Sequence, residues 1–80
     1  MPIVRGLIFT DHARLNMQRR GIEEADVREV WENHDIAYPG THPRRATVVR
    51  VGTARNGLRL CIVVDGKRPR LVVTAYWGEQ

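Results

Sequence analysis

The sequence is poor in features that mark several classes of protein. It has one cysteine, Cys61, which excludes an intrachain disulfide and offers only one thiolate to a metal, so disulfide-stapled and zinc-ribbon folds drop out. No apolar run approaches the ~18 residues that a membrane-spanning helix needs, and Arg5 and Gly6 interrupt the short apolar stretch at the N-terminus. We therefore expect a soluble, unprocessed, cytoplasmic protein with no membrane partner.

Small size sets a second limit. The chain has 80 residues, so we expect a single domain over residues 1–80 with no room for a large active-site cavity. It contains no glycine-rich phosphate loop, and its histidines and aspartates show no paired spacing typical of metal ligands. The sequence accordingly predicts neither a metal nor a cofactor.

Lysine is almost absent. Lys67 is the only lysine among 13 basic residues, the others are all arginines, and the net charge is +4. Arginine binds phosphate with two parallel hydrogen bonds and stacks on bases, which favours nucleic acid as a partner. An arginine bias inherited from a GC-rich genome is the alternative, and composition alone does not separate the two.

Capping signals and hydrophobic spacing predict two consecutive helices near the N-terminus. An extended segment over residues 3–9 leads into a helix over residues 12–20, with Thr10 or Asp11 as its N-cap. Gly21 supplies the left-handed residue that commonly ends a helix. A second helix follows and ends near Asn33.

Three strands are predicted in the second half. Residues 34–45 carry prolines and a glycine and form a loop with a short extended piece at residues 36–38. The strands are residues 47–53, 58–65 and 70–77, and an Asn-Gly turn joins the first two. This pattern predicts an α+β fold of order β-α-α-β-β-β, with both helices on one face of a small antiparallel sheet.

Alternation along the strands predicts which residues meet the helices. The inward set is Leu58, Leu60, Ile62, Val64, Leu71, Val73, Ala75 and Trp77. The opposite surface of the sheet, here called the outer face, is expected to be open and displays Arg59, Arg70, Thr74 and Tyr76, with Cys61 and Val72 among them. If Val49 and Val51 point inward, Arg50 joins the outer face. We expect Trp31 and Trp77 to be core anchors and Cys61 to be a packed, unreactive thiol.

A sheet face with several arginines and a tyrosine suits RNA, because guanidinium groups bind phosphate and the ring offers a stacking surface. Such a face also suits metal-independent RNA cleavage, which needs a base, an acid and fixed positive charge. His12 is the histidine on a predicted helix and is the candidate for proton transfer, although a histidine near an N-cap is also common as a structural residue. Arg14 is a candidate phosphate ligand on the first helix, with solvation as its alternative role.

Three segments carry a family resemblance: TDHARLNMQRRGIEEADVREV, GLRLCIVVD and LVVTAY. They resemble an uncharacterised bacterial domain family with a Thr-x-His-Ala-x-x-Arg-Met-like helix, an Arg-Gly-Ile junction and a final Val-Thr-x-Tyr, over about residues 8–77. The layout is also similar to the small BrnT and RelE toxins of the barnase/RelE-like nuclease group. Where the family helix has Arg-Met, this chain has Asn16 and Met17.

The resemblance implies a toxin-type endoribonuclease and an acidic antitoxin partner. The catalytic candidates are His12, Arg59, Thr74 and Tyr76, and the candidate RNA-binding residues are Arg14, Arg50 and Arg70. The leading hypothesis is metal-independent cleavage of RNA, free or on the ribosome. The alternatives are a non-catalytic module that binds RNA or an acidic protein, and a structural domain that forms a homodimer through its sheet edges.

Overall fold

The computed structural model describes residues 6–78. Its elements are β1 (Ile8–Phe9), α1 (Asp11–Arg20), α2 (Glu24–Asn33), β2 (Ile36–Pro39), β3 (Thr47–Thr53), β4 (Arg59–Asp65) and β5 (Leu71–Trp77). The predicted α+β class is confirmed, as is the strand-helix-helix-strand order, and β2 is the extended piece expected at residues 36–38. The predicted first strand began at Ile3, and its residues 3–5 lie outside the described residues. Over residues 6–78, neither helix has the length and apolar character needed to cross a membrane.

Local side-chain chemistry sets the helix ends. The Thr10 hydroxyl accepts a hydrogen bond from the backbone N–H of Ala13 at 3.0 Å, as an N-cap does. Gly21 ends α1 with φ 68°, a left-handed conformation that glycine adopts without a Cβ clash. Glu23 and Asp26 form a reciprocal capping box at the start of α2. These caps end α1 at Arg20 and start α2 at Glu24, so only three residues separate the two helices.

The sheet has the strand order β1-β5-β4-β3-β2. β1 runs parallel to β5 and the other pairs are antiparallel, so the sheet is mixed. β1 pairs only with Leu71 and Val72. Side chains at the two ends of α1 therefore form hydrogen bonds with carbonyls on the rest of that edge of β5. Thr10 Oγ1 donates to the Val73 carbonyl at 3.1 Å, and Arg20 Nη1 donates to the Ala75 carbonyl at 2.8 Å.

The main core lies between the helices and the sheet. Its fully buried members include Leu60, Ile62, Val64 and Ala75, all predicted to point inward. Trp31 and Trp77 pack against this core while partly exposed, which agrees with their predicted role as anchors. The Trp77 indole N–H also donates to the Arg20 carbonyl at 2.8 Å and so ties the end of β5 to α1.

The predicted facing of Val72 and Val73 is wrong. The register shifts between Val63 and Val64, which pair with Thr74 and Val72 respectively. The extra residue of this bulge reverses the predicted alternation at the start of β5, whereas the residues from Thr74 onward keep it. Val72 therefore enters the main core, whereas Val73 joins a second buried cluster with Val49, Cys61 and Val63 on the outer face.

Four further residues, three of them on β3, depart from the predicted facing. Val49 belongs to the second cluster and Val51 packs against it, so both lie on the outer face instead of pointing inward. Arg50 pairs with the core residue Ile62 and lies on the helix side, because neighbours across antiparallel strands share a face. Leu58 precedes β4 and is exposed. The outer face was expected to be open, yet residues 40–43 border a cavity on it together with Val49 and Val63.

Candidate functional site

Arg59, Thr74 and Tyr76 lie on the outer face, as alternation predicted. Thr74 pairs with Val63 and Tyr76 with Cys61, so the two β5 side chains stand in adjacent rows over β4. Arg59 begins β4 on the same surface. The fold therefore brings three of the four catalytic candidates to one surface, and their roles stay predictions.

His12 reaches this surface through Asn16. The Asn16 side-chain amide nitrogen lies 2.9 Å from His12 Nε2, and it also donates to Thr74 Oγ1 at 3.2 Å. One amide group thus joins a histidine of α1 to a threonine of β5. Because Nε2 accepts from the amide, a neutral His12 ring carries its proton on Nδ1. His12 itself is exposed, whereas Asn16 is buried.

A groove of about 310 Å³ lies between residues 40–43 and the sheet, and we call it the outer-face groove. Thr74 and Tyr76 line one side, and Thr41 and His42 line the other. His42 Nδ1 accepts a hydrogen bond from the backbone N–H of Arg44 at 3.0 Å, which fixes the ring orientation. Thr47 also lines the groove, and its hydroxyl is buried with no hydrogen-bond partner among the described residues.

Burial sets the acid–base properties of the groove floor. Desolvation, reinforced by the neighbouring Cys61 thiol and Tyr38 phenol, raises the pKa of Tyr76 to about 12. Tyr76 is therefore a neutral phenol near pH 7 and can donate a proton or a hydrogen bond. Desolvation also raises the pKa of the Cys61 thiol, which fits the expected packed thiol and disfavours a thiolate nucleophile.

Arg59 is held by an acidic partner. Its Nη1 and Nη2 donate to the two carboxylate oxygens of Asp35 at 3.2 and 2.9 Å, and Nη1 also donates to Thr53 Oγ1 at 3.1 Å. This two-point ion pair lowers the pKa of Asp35 and raises that of Arg59. Arg59 reaches a phosphate only when the phosphate takes the place of Asp35.

The predicted RNA-binding arginines do not join the outer face. Arg14 forms an ion pair with Glu24 at 3.1 Å and lies over the Phe9 ring at 5.3 Å. Arg50 is on the helix side, and its guanidinium stacks 5.1 Å from the centre of the Trp31 ring. Arg70 precedes β5 and lines the same cavity as Arg50. The expectation that Arg50 and Arg70 share the outer face with Tyr76 is wrong because Arg50 has the opposite facing and Arg70 lies in a turn.

Sequence reasoning missed two residues of this region, Asn16 and Asp35, and it ranked the loop histidine His42 below His12. Asn16 follows His12 by four positions, a spacing at which helical side chains meet, so this pair carried a readable signal. The partnership of Asp35 with Arg59 had none, because it depends on where β2 and β4 lie in the sheet. Within residues 6–78, no three His, Cys, Asp or Glu side chains cluster as metal ligands do.

Comparison with protein families gives one match, which spans residues 9–77 and is described as Domain of unknown function (DUF4258). The chain belongs to the DUF4258 family. This confirms the expected membership of an uncharacterised domain family, and the DUF4258 match includes every candidate site residue. No curated protein and no solved structure matches the chain. Because the DUF4258 description names no activity, function has to be argued from the site.

Proposed function

We propose that this protein is a metal-independent endoribonuclease of the toxin type that cleaves RNA in the outer-face groove. The observation that carries the proposal is the hydrogen-bonded series His12–Asn16–Thr74, which ends beside Tyr76 at the groove. It joins an imidazole of α1 to a hydroxyl of β5, two residues before the neutral Tyr76 phenol that lines the same groove. RNA cleavage without a metal needs such a pair of proton-transfer groups at one phosphodiester.

His12 is the proposed base. In the free protein its Nε2 lone pair accepts from the Asn16 amide, so this atom is where a donor hydroxyl can bind. A ribose 2′-hydroxyl that displaces the amide donates to Nε2 and transfers its proton there as it attacks phosphorus. Hydrogen bonds in a free enzyme commonly rearrange when the substrate arrives. Asn16 is a positioning residue in this scheme, because it orients the His12 ring in the free protein, gives way to the hydroxyl at Nε2 and does not touch phosphate.

Tyr76 is the proposed acid, and Arg59 the proposed phosphate ligand. A phenol with a pKa of about 12 stays protonated at neutral pH, and the departing 5′-alkoxide is a stronger base, so proton transfer from Tyr76 is favourable. Arg59 supplies the positive charge that the pentacoordinate phosphorane needs once it exchanges Asp35 for phosphate. This exchange replaces one two-point anion with another, which limits its cost.

Kinship with BrnT and RelE toxins is part of the proposal. Support comes from the strand-helix-helix start, the sheet that follows and the motifs quoted above. An active RNA-cleaving toxin needs a restraining partner, and the net charge of +4 favours an acidic antitoxin. We propose the cytoplasm, where RNA and ribosomes are, as the compartment.

The test is cleavage of a labelled single-stranded RNA in the presence of EDTA, with and without ribosomes. We expect cleavage to persist in EDTA and to fall about 100-fold or more in His12→Ala and in Tyr76→Phe, the usual scale for losing a general acid or base. Gln18→Ala, an exposed change on the same helix, is the matched control and should cleave normally. Cleavage that is equal in all four proteins overturns the assigned site.

A second candidate is RNA binding without cleavage. The net charge of +4 favours binding of RNA, whereas the Arg59–Asp35 ion pair occupies, in the free protein, the positive charge that cleavage needs. Fluorescence anisotropy with the same RNA separates the two candidates. RNA that binds and stays intact under every condition supports the binding module. RNA that neither binds nor breaks, with or without ribosomes, contradicts both.

A further inference from the structure

A larger cavity shares no lining residue with the outer-face groove and is bordered by Trp31 of α2. It has a volume of about 630 Å³ and is mostly apolar. Ile8, Trp31 and Leu71 form its apolar surface, and three guanidinium-bearing side chains border it, those of Arg50, Arg68 and Arg70. We call it the arginine cavity. Ile8 is 62% exposed, although it belongs to a strand of the sheet.

The three arginines of this cavity lack carboxylate partners within the described part of the chain. Elsewhere, Arg14, Arg45, Arg55 and Arg59 each form an ion pair with a nearby aspartate or glutamate. No acidic residue is among the described residues that line the cavity. The cavity therefore combines an exposed apolar surface with three guanidinium groups that form no salt bridge within residues 6–78, and Asp65 is near enough to Arg68 for their charges to interact. An apolar patch with a charged rim is typical of an interaction site.

The state of Trp31 helps to identify the ligand. Its indole N–H donates to the Pro69 carbonyl at 2.8 Å, and the Arg50 guanidinium lies over its ring. The ring is thus engaged by the protein, and the remaining apolar surface, from Ile8 and Leu71, is aliphatic. Binding of single-stranded RNA relies on free aromatic faces that stack on bases. A peptide with aliphatic side chains flanked by carboxylates therefore fits this surface better than single-stranded RNA does.

From these contacts we infer that the arginine cavity binds an acidic peptide segment of a partner protein, with aliphatic anchors against Ile8 and Leu71 and carboxylates on Arg68 and Arg70. Arg50 is a third ligand, already oriented by its stacking on Trp31 and by its 3.3 Å hydrogen bond to the Trp31 carbonyl. Apolar anchors supply affinity, and the charged rim selects against basic or neutral peptides. The inference does not rest on the proposed nuclease activity, because peptide binding needs no RNA.

The test uses a fluorescein-labelled synthetic peptide with two leucines flanked by glutamates, titrated with the full chain and followed by anisotropy. We expect saturable binding that weakens about tenfold or more in the doubly substituted Arg68→Glu, Arg70→Glu protein, since each charge contact is replaced by repulsion. Arg44→Glu changes the same charge at an exposed arginine outside the cavity, and should weaken binding less than about twofold at physiological salt. A circular dichroism spectrum of each variant reports that it is folded.

Two altered peptides complete the experiment. Replacing the glutamates with glutamines, or the leucines with serines, should each weaken binding about tenfold, because both the rim and the apolar surface contribute. If the serine peptide binds as well as the leucine peptide, or polyuridylate RNA competes fully, the cavity is a general polyanion surface and the inference is overturned. Dimerisation of the wild type that the double substitution abolishes would also overturn it, because a second copy would then be the occupant.

Discussion

Substitution of Asn16 probes the connection between α1 and β5. Asn16→Ala removes the hydrogen bonds to His12 and to Thr74, each worth about 1 kcal/mol. Alanine has a higher helix propensity than asparagine, which stabilises α1 by about 0.6 kcal/mol. The free energy of unfolding should therefore fall by about 1.5 kcal/mol, which corresponds to a melting temperature lower by about 6–12 °C in a domain of this size.

A double-mutant cycle isolates the bond across the two elements. Thr74→Val removes the hydroxyl and keeps the shape, so it should cost about 1 kcal/mol in the wild type and close to nothing in the Asn16→Ala background. Urea unfolding followed by the fluorescence of Trp31 and Trp77 measures all four proteins. Strictly additive costs would refute the reasoning, since they would mean that Asn16 and Thr74 do not interact.

Three other perturbations test separate features. The pKa of Tyr76 rises from 10.0 to about 12 on folding. The stabilisation from the neutral phenol is therefore complete below pH 10 and is lost as the pH rises towards 12. The melting temperature of Tyr76→Phe should lack this decrease at alkaline pH. Hydrogen bonds from the backbone N–H groups of Lys67 and Arg68 lower the pKa of Asp65 below 3.8, so its contribution is present above that pH and lost on acidification; acid titration of Asp65→Asn should show a smaller decrease in stability than the wild type. A Cβ at Gly52 would lie 3.2 Å from the His34 Cα on the backbone, so Gly52→Ala should lower the free energy of unfolding by about 1–3 kcal/mol, whereas Gly6→Ala, in open space, should leave urea denaturation unchanged.

Local chemistry made most of the elements predictable. Thr10 and Gly21 cap α1 through contacts within a few residues, and the Asn-Gly pair at residues 56–57 lies in the turn between β3 and β4. The facing of β5 was not predictable, because its start reads Leu-Val-Val and apolar residues fall on both surfaces. With no polar residue to mark the outer side, nothing in the sequence reveals the bulge opposite Val63 and Val64.

In the candidate site, the residue type of His12 was predictable, whereas the facing of Arg50 and the contacts of His12 were not. Arg50 stands among valines at residues 48, 49 and 51, so either surface of β3 could have been the buried one. His12 was found from residue type and its position at the start of a helix. His12 is connected to Thr74 through Asn16, and Asn16 and Thr74 are 58 positions apart in the sequence. They meet only because α1 lies along β5, which is a property of the tertiary fold.

The hydrogen bonds from the Thr10 and Arg20 side chains to β5 carbonyls affect which strand edges another copy of this chain can reach. They occupy carbonyls that would otherwise recruit another strand, and β1 offers only two residues at that border. Within residues 6–78, β2 is thus the one strand of more than two residues with an unpaired edge, and it ends at Pro39, which lacks a backbone N–H. Among the described edges, β2 is therefore the one suited to pairing with a second copy, and β2-to-β2 pairing would give a two-fold arrangement that uses both of these edges.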